Sequence, residues 1–228
     1  MFLEQVFRQH VDSDSPLVLD LCAAPGGKST HIASLLGGRG FLVSNEVIRS
    51  RVKILEENMA KWGCANVAVT NGEPEDFSGL RGLFDVVVVD APCSGEGMFR
   101  KEPDMVKSWD AKMLEFCQTE QAKILEACAP MLKEGGMLLY STCTYSLEEN
   151  EMLIDRFLQG HPDFEIVPVN EAVRNATADG IKFEGCKCES IHFARRFYPY
   201  ISKGEGQFMA VLHKKGNGTN HSKVVPAN

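Results

Sequence analysis

Val86-Val87-Val88-Val89-Asp90-Ala91-Pro92-Cys93-Ser94-Gly95 is the stretch that decides the fold. Four successive β-branched residues form the apolar run of a strand buried on both faces, as in the middle of a parallel sheet. The run stops at an aspartate, a proline, a cysteine and a glycine. Open α/β sheets bind their ligands in the crevice at the carboxyl ends of the strands. Asp90 and Cys93 therefore fall where chemistry is expected, on a turn that Pro92 stiffens. On these ten residues alone, a plain strand-to-loop turn with one buried thiol reads equally well. A second apolar run, Met137 to Thr142, ends on Cys143 in the same way and shifts the balance toward a site.

Upstream, Leu17 to Cys22 reads as a buried strand, followed by Ala23-Ala24-Pro25-Gly26-Gly27-Lys28 and a helix over 29–36. Strand, small-residue loop and helix form a nucleotide-binding arrangement, but two familiar versions are excluded. A Walker loop needs a glycine where Cys22 stands, and Gly-x-Gly-x-x-Gly is absent. What remains is a loop that lets backbone approach a ligand without cradling a phosphate, which suits S-adenosylmethionine. The next strand, Gly40 to Val47, carries Glu46 at its end, where a carboxylate can accept from both ribose hydroxyls. A helix over 48–62 stops at Gly63. A strand over 66–70 then leads to Glu73, within reach of an adenine amino group.

Downstream, Glu96 to Asp104 is marked by glycine and proline and reads as a mobile loop that brings Arg100 and Lys101 to the crevice. Asp110 caps a helix to about Leu132 with Cys117, Gln121, Ile124, Leu125 and Cys128 on its inner face. Gly135-Gly136 is a turn, and Ser146 with Glu149 a capping box for a helix over 147–159. Strands over 165–169 and 207–212 complete seven. Between those two strands, His192 to Tyr200 interleaves basic and aromatic residues. That stretch serves equally as a base-stacking, phosphate-holding surface or as an amphipathic hairpin on the sheet edge. The tail from Gly216 to Asn228 is polar and reads as disordered.

The 228 residues suit one large domain, and 44% hydrophobic with 24% charged residues is an ordinary soluble composition. No run reaches transmembrane length, and the first residues do not resemble a signal peptide. Eight scattered cysteines are not a disulfide framework and read as reduced thiols of a cytoplasmic protein, with a monomer favoured. Cys186 and Cys188 lack further ligands at metal spacing, so no metal is expected. A net charge of −7 opposes non-specific nucleic-acid binding by the chain as a whole. The abrupt apolar opening reads as a catalytic core cut from a longer protein.

Three motifs together carry a resemblance. Leu19 to Lys28, Asp90-Ala91-Pro92-Cys93-Ser94-Gly95 and Ser141-Thr142-Cys143-Thr144 resemble the cofactor loop and the two cysteine motifs of the S-adenosylmethionine-dependent RNA 5-methylcytosine methyltransferases. Gly95 to Lys101 resembles the bacterial RsmF-like small-subunit rRNA subgroup in particular. The resemblance implies an α/β, Rossmann-like class I methyltransferase fold over 1–215, with a mostly parallel seven-stranded sheet and helices on both faces. It implies a cofactor site lined by Cys22, Ala23, Ala24, Pro25, Gly26, Gly27, Lys28, Glu46, Glu73 and Asp90. The catalytic residues would be Cys143 as nucleophile at C6 of a cytosine, Cys93 in product release, and Asp90 opposite the ring. Small-subunit rRNA is the implied partner. A tRNA enzyme of the same family, or a non-catalytic RNA-binding module on this fold, are the alternatives, and the second would not need both thiols.

Overall fold

The computed structural model describes residues 2–216; the predicted disordered tail, apart from Gly216, lies outside the described residues. The elements in chain order are α1 (Phe2–His10), β1 (Leu17–Asp20), α2 (Gly27–Leu36), β2 (Phe41–Asn45), α3 (Arg49–Trp62), β3 (Val67–Thr70), β4 (Phe84–Asp90), α4 (Ala111–Cys128), β5 (Leu132–Thr142), α5 (Glu151–Gly160), β6 (Phe164–Ile166), α6 (Glu171–Asn175), β7 (Ala178–Asp179), β8 (Arg195–Phe197) and β9 (Gln207–Lys214). The sheet order is β3-β2-β1-β4-β5-β9-β8-β7, with β6 also paired to β9. Strands β1 to β5 are mutually parallel, and β9 returns antiparallel to β5.

The valine run is central strand β4, and its residues alternate between faces as a strand must. Val87 and Val89 join the layer with Ile124 and Leu125 of α4 and Leu153, Ile154 and Phe157 of α5. Val86 and Val88 join the opposite layer with Leu3 and Val6 of α1, Ile32 and Leu36 of α2, and Leu55 and Met59 of α3. Helices thus cover both faces. Because β1 lies between β2 and β4, the strand order reverses between β1 and β4. At that switch point the carboxyl ends of two strands diverge into a crevice.

Among the described residues the sheet has nine strands, where seven were expected. All seven anticipated strands are present, and β7 and β8 are the additions. They span two and three residues. Arg195-Arg196-Phe197 shows no apolar alternation, so its place in the sheet is settled by long-range pairing. The predicted turn at Gly135-Gly136 is instead a bulge within β5. Phe84 pairs with Leu132 but Val86 with Met137, and Gly135 takes the extra chain at φ 79°.

Candidate active site

The Cys22–Lys28 loop leaves β1 and is held from three sides. Asn45 accepts from Ala23 N–H through its carbonyl at 2.8 Å, and its side-chain amide donates to Leu21 O at 3.2 Å and Gly72 O at 2.9 Å. Arg51 and Asn58 of α3 donate to the Ala24 and Pro25 carbonyls, each at 2.7 Å. Gly26 turns into α2 at φ 109°, which favours glycine. Beneath the loop Asp20 is fully buried; Ser29 Oγ donates to its Oδ2 at 2.6 Å, while Oδ1 has no partner. Burial raises the Asp20 carboxyl to about 7, against the hydrogen bond from Ser29.

The three acids stand at different depths. Glu46 follows β2 and is buried, with Oε1 accepting from Ile48 N–H at 2.9 Å and Oε2 3.3 Å from Arg51 Nη1. Glu73 is exposed where the chain enters a 3₁₀ turn, its N–H donated to Asp76 at 2.9 Å. Asp90 ends β4 and joins the two halves of the crevice: Lys28 Nζ lies 2.6 Å from Oδ2, and Ser141 Oγ donates to Oδ1 at 2.7 Å.

Parallel pairing of β4 with β5 carries the two cysteines to one place. Asp90 pairs with Ser141, so the loops that follow advance together. Cys93 Sγ lies 3.2 Å from Cys143 Sγ and accepts from Cys143 N–H at 3.3 Å. The hydrogen bond from Cys93 holds the Cys143 thiol below its ordinary value, with help from Lys28 and against burial and Asp90. That bond and burial push Cys93 far up, and the Glu149 charge adds to it. Of the two, Cys93 is the thiol favoured to keep its proton and Cys143 the one favoured to lose it.

Glu149 is the residue that sequence reasoning misplaced. Only half of the capping box forms: Glu149 N–H donates to Ser146 Oγ at 3.2 Å, but α5 starts at Glu151 and the Glu149 side chain turns away. Fully buried, it accepts from Ser94 N–H at 3.0 Å, from Ser94 Oγ, and from Gln121 Nε2 at 2.8 Å. Gln121 also donates to Pro92 O at 2.8 Å. A glutamine on the apolar face of a helix was the available signal, since a buried amide needs partners. Glu149→Gln places an amide among these donors, and Ser94 or Gln121 loses an acceptor. Urea unfolding should show a loss of about 1.5–3 kcal/mol, the worth of a charge-assisted bond. An unchanged midpoint would show that the Cys93 turn stands without Glu149.

A family model described as 16S rRNA methyltransferase RsmB/F matches residues 9–213. The chain belongs to that family. Among curated relatives, ribosomal RNA small subunit methyltransferase F of Shewanella piezotolerans is 38% identical over 203 residues, covering 86% of this chain and 40% of the relative. The protein of that description from Vibrio cholerae is 43% identical over 155 residues, covering 68% of this chain and 32% of the relative. The chain thus spans about 40% of the length of the first of these. Among solved structures, NSun6 from Pyrococcus horikoshii with SFG aligns with a TM-score of 0.76 at 27% identity, covering 95% of this chain and 52% of that one. A methyltransferase homolog protein from the same organism aligns at 0.73 and 29% identity, covering 93% and 66%. The RsmB/F chain has the Rossmann-like methyltransferase fold that the cysteine motifs implied.

Three of the four basic residues offered by the sequence for RNA, Arg100, Arg195 and Arg196, are committed to partners in this RsmB/F chain. Arg195 is buried, donating to Thr177 Oγ1 at 2.8 Å and Thr177 O at 3.0 Å and paired with Asp179. Arg196 is buried against Glu151. Their stretch pairs into the sheet as a hairpin with β9, which turns both arginines inward. Arg100, expected over the crevice, is tied to Glu205 at 2.8 Å and Gly204 O at 2.9 Å. Lys101 is exposed. Cys186 and Cys188 flank Lys187 at Asp155, whose Oδ1 accepts from Lys187 N–H at 2.9 Å and Cys188 N–H at 2.6 Å. Among the described residues, no helix is long and apolar enough to cross a membrane.

Proposed function

We propose that this chain transfers a methyl group from S-adenosylmethionine to C5 of a cytosine in small-subunit rRNA, through a covalent bond between Cys143 and C6. The observation that carries the reading is the 3.2 Å approach of Cys93 and Cys143 beside Asp90 at the switch point. The residues present fit the cofactor. Gly27 opens onto free space, and the unpartnered Oδ1 of Asp20 is an acceptor suited to an ammonium group. Cys22 to Lys28 would hold the methionine end, Glu46 the ribose and Glu73 the adenine side. S-adenosylmethionine, when bound, supplies an electrophilic methyl group.

The chain's own part is to make cytosine a nucleophile. The Cys143 sulfur gives its electron pair to C6, and the C5–C6 π pair moves to C5. Asp90, already between Lys28 and Ser141, sits to balance charge that spreads onto the ring. Bound in the adduct, Cys143 no longer accepts the Cys93 hydrogen bond as a charged group, and the part of the Cys93 rise that comes from Cys143 falls away, while burial and Glu149 remain. Once the pair on C5 has taken the methyl group, Cys93 can give its proton to solvent and take the C5 proton; the C5–H pair re-forms the C5–C6 double bond as the C6–S bond breaks and its pair returns to Cys143. A base stacked in a helix must first be extruded or presented in a loop.

Two measurements test this reading. Incubation with S-adenosylmethionine and small-subunit rRNA should yield 5-methylcytosine by nuclease digestion and mass analysis; methylation at another ring atom would overturn it. Glu46→Ala should weaken S-adenosylmethionine in titration calorimetry by about 1.5–3 kcal/mol, tenfold or more in Kd, through lost charge-assisted bonds. Equal affinity would remove Glu46 from the site.

A further inference from the structure

Three tyrosines stack in register beside the cysteine pair. Tyr145 lies on Tyr198 with ring centroids 5.6 Å apart and planes at 22°, and Tyr198 on Tyr200 at 5.2 Å and 13°. The last ring is left in water, with Tyr200 81% exposed. Core packing does not account for an outer ring of this kind, since it buries little area. The base of the stack is built rigidly. Gly206 lies under the Tyr145 ring, where a Cβ would come within 2.1 Å of the phenol oxygen. Gly206 N–H donates to Gly97 O at 3.1 Å, and Gly97 N–H donates to Cys143 O at 2.9 Å. Tyr145 O accepts from buried Arg196 at 3.0 Å, and Tyr145 N–H donates to Glu96 at 3.2 Å. The stack and Cys143 are therefore fixed to one backbone frame.

We propose that Tyr200, backed by Tyr198 and Tyr145, is a stacking platform for an unpaired RNA base near the target cytosine. The inference rests on the methyl-transfer reading for its choice of ligand. An aromatic face accepts any base and needs no positive charge of its own. That matters in a chain of net charge −7 whose Arg195 and Arg196 are committed inside. Lys101 and Lys203, exposed in the segments flanking this frame, can meet the phosphates of a strand laid across it. A target extruded from its stack leaves a neighbouring base without one face of its own stacking, and the outer Tyr200 ring replaces it.

The probe is a fluorescein-labelled cytidylate single strand, titrated by anisotropy, alongside methylation of small-subunit rRNA. Tyr200→Ala should bind the strand about 5- to 140-fold more weakly, which corresponds to about 1–3 kcal/mol at 1.4 kcal/mol per tenfold. It should raise KM for the rRNA while kcat at saturation and S-adenosylmethionine affinity stay as in the wild type. Tyr200→Trp should bind at least as tightly as the wild type. Tyr200→Leu, which keeps bulk but has no π face, should behave as Tyr200→Ala. Equal strand affinity across all four proteins, or no binding by the wild type, overturns the platform whatever the methylation assay gives. A graded loss of strand binding with no methylation by any of them supports the platform and sinks the reaction.

Discussion

Cys143→Ala should abolish methylation and leave no protein–RNA species on a denaturing gel, whereas Cys93→Ala should accumulate one. The proposed attack needs an anionic sulfur, and Cys143 is the sulfur that the geometry polarises. It receives the hydrogen bond of a thiol 3.2 Å away and feels Lys28, while Cys93 lies toward the buried Glu149 carboxylate. Loss of a nucleophile costs on the order of 10⁶-fold in turnover. Loss of an acid–base group costs about 10²–10⁴-fold. Cys93→Ala should therefore attack and methylate once, then stall as an RNA-linked protein that depends on S-adenosylmethionine. It also removes the donor that holds Cys143 down, so the Cys143 thiol moves upward. Single-turnover adduct formation in Cys93→Ala should accordingly need higher pH than in the wild type. The double substitution should match Cys143→Ala, because attack precedes release. A trapped adduct in Cys143→Ala, and none in Cys93→Ala, would exchange the two roles and leave the reaction class standing.

Local pattern made most of this site legible. Four valines fixed the central strand, and small residues before Lys28 marked the loop, because burial on both faces and close backbone approach leave signs in adjacent residues. Contacts between distant residues left weaker signs or none. Ser146 and Glu149 satisfy the spacing of a capping box, yet Glu149 serves Ser94 from 55 residues away, and α5 starts at Glu151. Arg195 and Arg196 stand among aromatics as RNA-contacting residues often do. Their partners Asp179 and Glu151 lie 16 and 45 residues upstream, and nothing between announces the pairing. Strands as short as β7 and β8 have no periodicity to read. The tyrosine stack is half legible: the rings stand in the sequence, but Tyr145 is brought to Tyr198 only by the fold.

Arg196→Ala should destabilise the fold by about 3–5 kcal/mol, because it leaves a carboxylate in the core without its counter-charge. Arg196 is 2% and Glu151 0% exposed, and the pair is bidentate, with Arg196 Nε 2.6 Å from Glu151 Oε1 and Nη2 bonded to Oε2. Glu151 Oε1 also accepts from Ile181 N–H at 2.9 Å, and the guanidinium lies 5.9 Å from the centre of the Phe208 ring. The pair thus joins α5, the β8 edge and the chain beyond Gly180. Domains are held by only about 5–15 kcal/mol in all. A domain of this size should melt roughly 6–20 °C lower, at about 2–4 °C per kcal/mol. Replacing both members, as Arg196→Met with Glu151→Met, should recover much of that loss, since two apolar chains of similar length leave no orphaned charge. Ile181 N–H loses its Glu151 acceptor in the double variant, so recovery should stop short of the wild type. Thermal and urea unfolding of the four proteins of this cycle measure the coupling directly. An Arg196→Ala protein that melts with the wild type, but loses salt-dependent affinity for rRNA, would return Arg196 to the surface and to the RNA.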